Sequence, residues 1–263
     1  MEKFERDILE ILEGKKKPFL KESVTMEELP ELIKVLEKRN VHGKLPSIKM
    51  TLSDERQLIE IKDIENNSVP VISQRWSPIQ SQCFKLSYTV NKKKKVKEII
   101  NMKRKENLKY NAGDITLNDL IKKKEVEKKF VNLNGIPDPV LDTLPDTING
   151  ISNSTFLLGT DSQTSVPMHI EDAGLGSLNL HHGGAPKEWV TIPPKAGNIK
   201  IIDLEIFNKH ITVFQVIKLA RENFLEEEKN CSNFMTNHKN IFVSTDLLSS
   251  AGIPFSTFKQ QKG

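Results

Sequence analysis

A chain of 263 residues can bury one large core or two modest ones, and 37% hydrophobic with 28% charged residues is the composition of a globular protein on the polar side. A formal charge of +4 does not by itself demand nucleic acid, and two cysteines, Cys83 and Cys231, exclude a disulfide scaffold and fit a reducing compartment. With no apolar run of about eighteen residues and no secretory leader in "MEKFERDILEILEGKKK", an intracellular protein without membrane contact is expected.

Residues 1–46 read as helical. In "VTMEELPELIKVLEKR" the apolar residues Met26, Leu29, Leu32, Ile33 and Leu36 recur at three- and four-residue spacing, which puts them on one helix face. Thr25, followed by Glu27 and Glu28, is the expected N-cap. Residues 47–134 mix extended pieces such as "VPVISQRW" with two lysine-rich segments, "NKKKKVKEIINMKRKENLK" (Asn91 to Lys109) and "IKKKEVEKKF" (Ile121 to Phe130), both expected to be helical. Those lysines are either a solvated helix face whose stems cover Val96, Ile99, Ile100 and Met102, or a nuclear localisation signal or phosphate-contacting patch, and composition does not separate the two. Pro137, Pro139 and Pro145 rule out a long helix at the start of the third region, residues 135–263. There "STFLLGT", "SLNLHH", "EWVTIPP" and "NIKIIDL" alternate with period two between Gly and Pro breaks, as in a β-sandwich or barrel.

The chemistry concentrates in this third region. If "SLNLHH" is a strand, Ser177, Asn179 and His181 share one face and Leu178 and Leu180 the other, and a polar inward face in a barrel lines a ligand cavity. His169 and Glu171, two apart on an extended segment, project to one side and can grip one ion. Two histidines and a carboxylate with open positions are the mark of non-haem Fe(II) oxygenases. An isolated His-x-Glu is weak evidence, but Asn179 and then Lys187 follow at positions able to hold a dicarboxylate that itself chelates iron.

The stretch "HIEDAGLGSLNLHHGGAPKEWVTIPP" resembles the JmjC domain of histone lysine demethylases, whose pattern runs H-x-E-D, S-x-N, H-x-G-x-P-K-x-W and an apolar strand ending in Pro-Pro. Farther on, "NCSNFMTNHKNIFVSTDLLSSAGIPFSTFKQQKG" is similar to the segment that follows in that family, and "VTMEELPELIKVLEKRNVHGKL" is faintly similar to the JmjN segment of one subfamily. The resemblance implies a mainly β fold with a helical N-terminal part, the JmjC double-stranded β-helix (a cupin-like jelly roll), incomplete at the C-terminus. It implies His169 and Glu171 as iron ligands, Asn179 and Lys187 as holders of 2-oxoglutarate, Ser177 and Trp189 in support of that pocket, and Asp172 as an orienting group. His182 falls on the pattern's histidine and His181 is off it; structural hydrogen bonding is the alternative role for both. Cys231 and His238 lie near half of a subfamily zinc site, with a gap one residue longer, so Zn(II) joins Fe(II) and 2-oxoglutarate among the implied cofactors.

The departures are as definite as the matches. The family's third iron ligand is a histidine on a strand beyond the segment ending "FKQQKG", and His210 lies in the wrong segment to replace it. The tyrosines that cage methyl-lysine align with Thr155 and Leu157. The tyrosine that helps bind 2-oxoglutarate would fall within Val131 to Asn149, where there is none, and Tyr88 and Tyr110 do not align. The expectation is therefore a nuclear Fe(II)/2-oxoglutarate-dependent histone lysine demethylase whose present chain is partial and poorly active, acting on histone tails and chromatin proteins, with nucleic-acid contact through the lysine-rich helices. The alternatives are a non-catalytic JmjC chromatin-binding protein and a JmjC protein hydroxylase.

Overall fold

The computed structural model describes residues 2–12, 15, 23–39, 48–54, 56–80, 83–102, 108–116, 129–131, 133, 136, 148, 151–160, 164–169, 171, 176–192, 241–250 and 252–263. Helix α1 (Glu2–Leu12) turns Ile8 and Ile11 inward. Strand β1 (Ser23–Val24) pairs in parallel with β2 (Thr51–Leu52) and leads into α2 (Leu29–Arg39). The start of α2 is a reciprocal cap: the Glu28 amide donates to Thr25 Oγ1 at 3.2 Å and the Thr25 amide donates to Glu28 Oε2 at 2.9 Å. These bonds pull the Glu28 carboxyl below its ordinary range, the backbone bond first. Leu29, Leu32, Ile33 and Leu36 are buried with Ile8, Ile11 and Val24, and Met26 packs against them, as the apolar spacing predicts.

The short helix α3 (Ile61–Ile64) precedes the long strands β3 (Ser68–Gln80) and β4 (Cys83–Lys95). Helix α4 (Val96–Ile100) follows, then β5 (Leu108–Thr116) and β6 (Thr155–Gly159). Strands β7 (Lys187–Thr191) and β8 (Ile241–Val243), helix α5 (Thr245–Ser250) and β9 (Ser256–Gln260) complete the described elements. One antiparallel sheet has the order β6-β5-β3-β4-β8, and β7 pairs with β9 in a separate antiparallel ribbon. Beneath the larger sheet Ile59, Ile64, Val69, Val71, Val96, Ile99 and Phe130 form a buried cluster, with Met102, Phe156 and Leu158 against it. The architecture is mainly β with a helical N-terminal part. Among the described residues no helix is long and apolar enough to cross a membrane.

Two expectations are corrected. Lys92, Lys93, Lys94 and Lys95 end strand β4 rather than forming a helix, and among the described residues of that segment Val96–Ile100 are the helical ones. Phe84, Leu86, Tyr88 and Val90 alternate ahead of them, so pairing with β3 carries the extended backbone through the lysines, with Val69 opposite Lys94 and Ser68 opposite Lys95. Val96 and Ile99 still enter the core, as the apolar spacing requires, while Ile100 stays exposed. Most of Ile121 to Phe130 lies outside the described residues, as do "NIKIIDL" and His210. The second correction is "SLNLHH", which is irregular backbone rather than a strand. The carbonyl of Asn179 is taken by a side chain, Gln260, whose Nε2 donates to it at 2.7 Å, so no ladder partner occupies that position.

The ribbon β7–β9 is placed by the end of α5. The Ile253 amide donates to the Leu248 carbonyl at 2.9 Å and the Gly252 amide to the Ser249 carbonyl at 3.0 Å. With Gly252 at φ +67, a conformation that costs glycine little, this is a Schellman ending, and its apolar contact partners Leu248 and Ile253 are both buried. The chain reverses there and delivers β9 antiparallel to β7.

Candidate metal and 2-oxoglutarate site

The segment that leads to His169 is anchored from the sheet. Gln74, buried on β3, donates through Nε2 to the Ser165 carbonyl at 2.9 Å and accepts the Ser165 amide through Oε1 at 3.1 Å. Both hydrogen-bonding functions of the amide are used on one residue's backbone, so the strand fixes where Ser165–Pro167 runs. His169 Nδ1 then lies 2.9 Å from the Pro167 carbonyl oxygen. A carbonyl only accepts, so Nδ1 carries a proton and Nε2 is the ring nitrogen left to serve as a ligand atom.

That nitrogen faces a carboxylate. His169 Nε2 is 3.7 Å from Glu171 Oε1, and Ser177 Oγ donates to the same oxygen at 2.7 Å. A ring nitrogen and a carboxylate oxygen, both atoms that bind metals, thus face one another across a gap that a cation can bridge. Bonds of about 2.1 Å to a metal separate such donors by about 3 Å at a right angle and about 3.6 Å at 120°, so a small turn of the exposed Glu171 side chain lets the pair chelate one ion. The residues fit a divalent metal in donor type and spacing. Among the described residues no group of three His, Cys, Asp or Glu converges on one point, so the pair His169 and Glu171 stands there without a third such side chain among them. Asp172, Cys231 and His238 lie outside the described residues.

The same short segment serves a second pair. Two residues beyond Ser177, Asn179 Oδ1 accepts a hydrogen bond from Lys187 Nζ at 2.9 Å. Burial pulls the half-buried Lys187 ammonium below the ordinary lysine range. It also lies over the Trp189 ring, 5.1 Å from the centroid. An ammonium stripped of part of its water, with an amide oxygen and an aromatic face for company, gains most from a carboxylate. Trp189 stacks on Phe258 of the neighbouring strand, with centroids 5.9 Å apart and planes within 7°. Sequence reasoning singled out Ser177, Asn179, Lys187 and Trp189; the fold gathers the last three with Gln260, while Ser177 bonds to Glu171. It missed Gln260 and Gln74, because nothing local distinguishes a glutamine whose partners lie 71 and 91 residues away.

The two neighbouring histidines are structural. His181 is buried and donates through Nε2 to the Ala185 carbonyl at 3.0 Å, and burial lowers its pKa. His182 accepts the Ile59 amide at Nδ1, 3.2 Å away, and packs against Phe156 at 5.7 Å between centroids. Burial first, and the neighbouring His181 second, push its pKa down to about 4. On β6, Thr155 and Leu157 share the face opposite Phe156 and Leu158, so they point away from the core cluster.

Residues 156–263 match the JmjC domain family, described as a hydroxylase. The chain is 31% identical over 116 residues to the probable lysine-specific demethylase 4F of Homo sapiens, which is 44% of this chain and 15% of that protein. It is 33% identical over 116 residues to lysine-specific demethylase 4D of Rattus norvegicus, covering 44% of this chain and 19% of the relative. To lysine-specific demethylase 4B of Mus musculus it is 31% identical over 132 residues, 50% of this chain and 10% of the relative. The chain thus spans less than a fifth of the length of these curated relatives. The mainly β architecture with few helices is consistent with this match to a JmjC, cupin-like domain over residues 156–263.

Proposed function

We propose that this chain, a JmjC histone demethylase-like protein, holds Fe(II) at His169 and Glu171 and 2-oxoglutarate at Lys187 and Asn179, and that its activity is oxidative removal of methyl groups from histone lysine. Its partners are then histone tails and chromatin proteins, and its place is the nucleus. The observation that carries this reading is the continuity of the site: one segment, Ser177 to Asn179, touches both the His-Glu pair and the lysine.

Bound iron and 2-oxoglutarate would supply, with molecular oxygen as the oxidant and 2-oxoglutarate going to succinate and carbon dioxide, the chemistry that hydroxylates an N-methyl carbon, which would then leave as formaldehyde. The chain's own residues bind and orient. The Pro167 carbonyl holds the His169 proton on Nδ1 and leaves Nε2 free. Ser177 fixes the direction of Glu171. Lys187 pairs with the distal carboxylate, Asn179 steers its ammonium, and the Trp189–Phe258 stack keeps water from one side of it.

A second reading, a non-catalytic JmjC chromatin-binding protein, is favoured by Thr155 and Leu157 standing where the family's methyl-lysine cage has tyrosines. One set of measurements separates the two. Anaerobic calorimetry with Ni(II) or Fe(II) and then 2-oxoglutarate is expected to show saturable, metal-dependent uptake that His169→Ala abolishes and Lys187→Met weakens about ten- to a hundredfold, the effect of losing a charged hydrogen bond. A trimethyl-lysine histone peptide incubated with Fe(II), 2-oxoglutarate and oxygen is expected to lose one CH2 per turnover and release formaldehyde. Gain of one oxygen without loss of CH2 points instead to a protein hydroxylase. Uptake without turnover supports the non-catalytic protein, and no uptake of metal or 2-oxoglutarate by the wild type overturns the site assignment.

A further inference from the structure

We propose that Gln260 is a positioning residue that builds the 2-oxoglutarate pocket by bridging Asn179 and Trp189 on either side of Lys187. The inference rests on the function proposed above and adds to it a residue that lies 73 positions from Lys187 in sequence and directly opposite it in the ribbon, since the register pairs Lys187 with Gln260.

The inward face of the ribbon carries Lys187 and Trp189 from β7 and Phe258 and Gln260 from β9, all half-buried, while Glu188, Val190, Thr257 and Lys259 are exposed on the other face. Side chains directly opposite one another in an antiparallel pair are about 5 Å apart at Cβ, so Gln260 stands beside the lysine stem. Its amide is used at both ends. Oε1 accepts the Trp189 indole N–H at 3.0 Å and Nε2 donates to the Asn179 main-chain carbonyl at 2.7 Å. The first bond fixes the rotation of the indole over which the Lys187 ammonium sits. The second ties an irregular, exposed segment to the ribbon, at the residue whose side chain receives that ammonium.

The chemistry selects an amide. A carboxylate here accepts from the indole but repels the Asn179 carbonyl and adds a negative charge where a dianion is to bind. An apolar side chain leaves both the indole N–H and the carbonyl without this partner. Only a group with a donor and an acceptor at one carbon satisfies both. Ordering Asn179, Lys187 and Trp189 before the ligand arrives lowers the entropic cost of binding, which is the physical role assigned to Gln260.

The test uses Ni(II)-loaded full chain, 2-oxoglutarate titrated by calorimetry, thermal unfolding, and the indole N–H resonances of 15N-labelled protein, assigned with Trp76→Phe since Trp76 and Trp189 are the two tryptophans. Gln260→Ala is expected to raise the Kd for 2-oxoglutarate on the order of tenfold, the loss of one or two hydrogen bonds, and to move the Trp189 indole resonance. Gln260→Glu is expected to weaken binding while leaving that resonance close to its wild-type position, because the acceptor survives and the donor does not. An unchanged indole resonance in Gln260→Ala, or a lowered Tm with unchanged affinity in both variants, overturns the inference. If the wild type takes up no 2-oxoglutarate, the functional reading above fails by itself. The bridge is then judged by the indole resonance of Gln260→Ala, which moves if Gln260 holds Trp189 and stays if it does not.

Discussion

His169 and His182 are the same residue type put to opposite uses by what their Nδ1 atoms meet. At His169 a carbonyl accepts the Nδ1 proton and Nε2 is left facing the Glu171 carboxylate; at His182 a backbone amide donates to Nδ1, and the ring is kept neutral as a packing element. The sign of the pH effect at His182 follows from its folded-state pKa of about 4 against about 6.5 in an unfolded chain. The unfolded state binds the proton first, so stability is unaffected by this group above about pH 6.5 and falls as pH drops from there toward 4. His182→Gln, which keeps an acceptor for the Ile59 amide without a titrating ring, is expected to flatten that part of the stability profile, measured by urea unfolding at a series of pH values. An equally steep profile in the variant would assign the acid sensitivity to other groups.

At the scale of elements, caps and edges carry distinct consequences. Thr25→Ala removes the oxygen that receives the Glu28 amide and is expected to cost about 1 kcal/mol of stability, read from the urea midpoint. Among the described residues β4 pairs with β8 only over Cys83–Lys85, so its outer edge from Leu86 to Lys95 has no partner strand. Lys92 to Lys95 are exposed on that edge, and no carboxylate among the described residues pairs with them. Closely spaced charge on an edge that no described strand covers opposes pairing with another copy, which gives the lysine run a physical role that needs no nucleic acid. Replacing all four lysines by threonine is expected to raise self-association, seen as larger species in sedimentation velocity at low salt. Unaltered sedimentation would leave the run to a binding role. This charge run has no apolar period of its own, so sequence periodicity could not tell helix from strand; the partner strand β3 decided it.

At the scale of the whole molecule, the cluster under the five-stranded sheet joins segments far apart in the chain, from Ile59 to Phe130, with Phe156 packed against it and, through Phe156, the ring of His182. Ile64 is almost wholly buried there, and Ile64→Ala is expected to lose about 2–5 kcal/mol in urea unfolding, against about 0.5–1.5 kcal/mol for Ile64→Val. A loss for the alanine variant no larger than for valine would show that this cluster is loosely packed. The sequence alone determined what depends on near neighbours: the apolar stripe and Thr25 cap of α2, the strands at Thr155–Gly159 and Lys187–Thr191, and the close spacing of His169 and Glu171. Tertiary structure alone decided that Lys92 to Lys95 are extended, that "SLNLHH" forgoes a strand ladder, and that Gln74 and Gln260 hold the segments bearing the site. The physical reason is range: a helix cap or stripe is satisfied within a few residues, whereas a strand, or an amide that bridges two strands, acquires its partner only when distant parts of the chain meet.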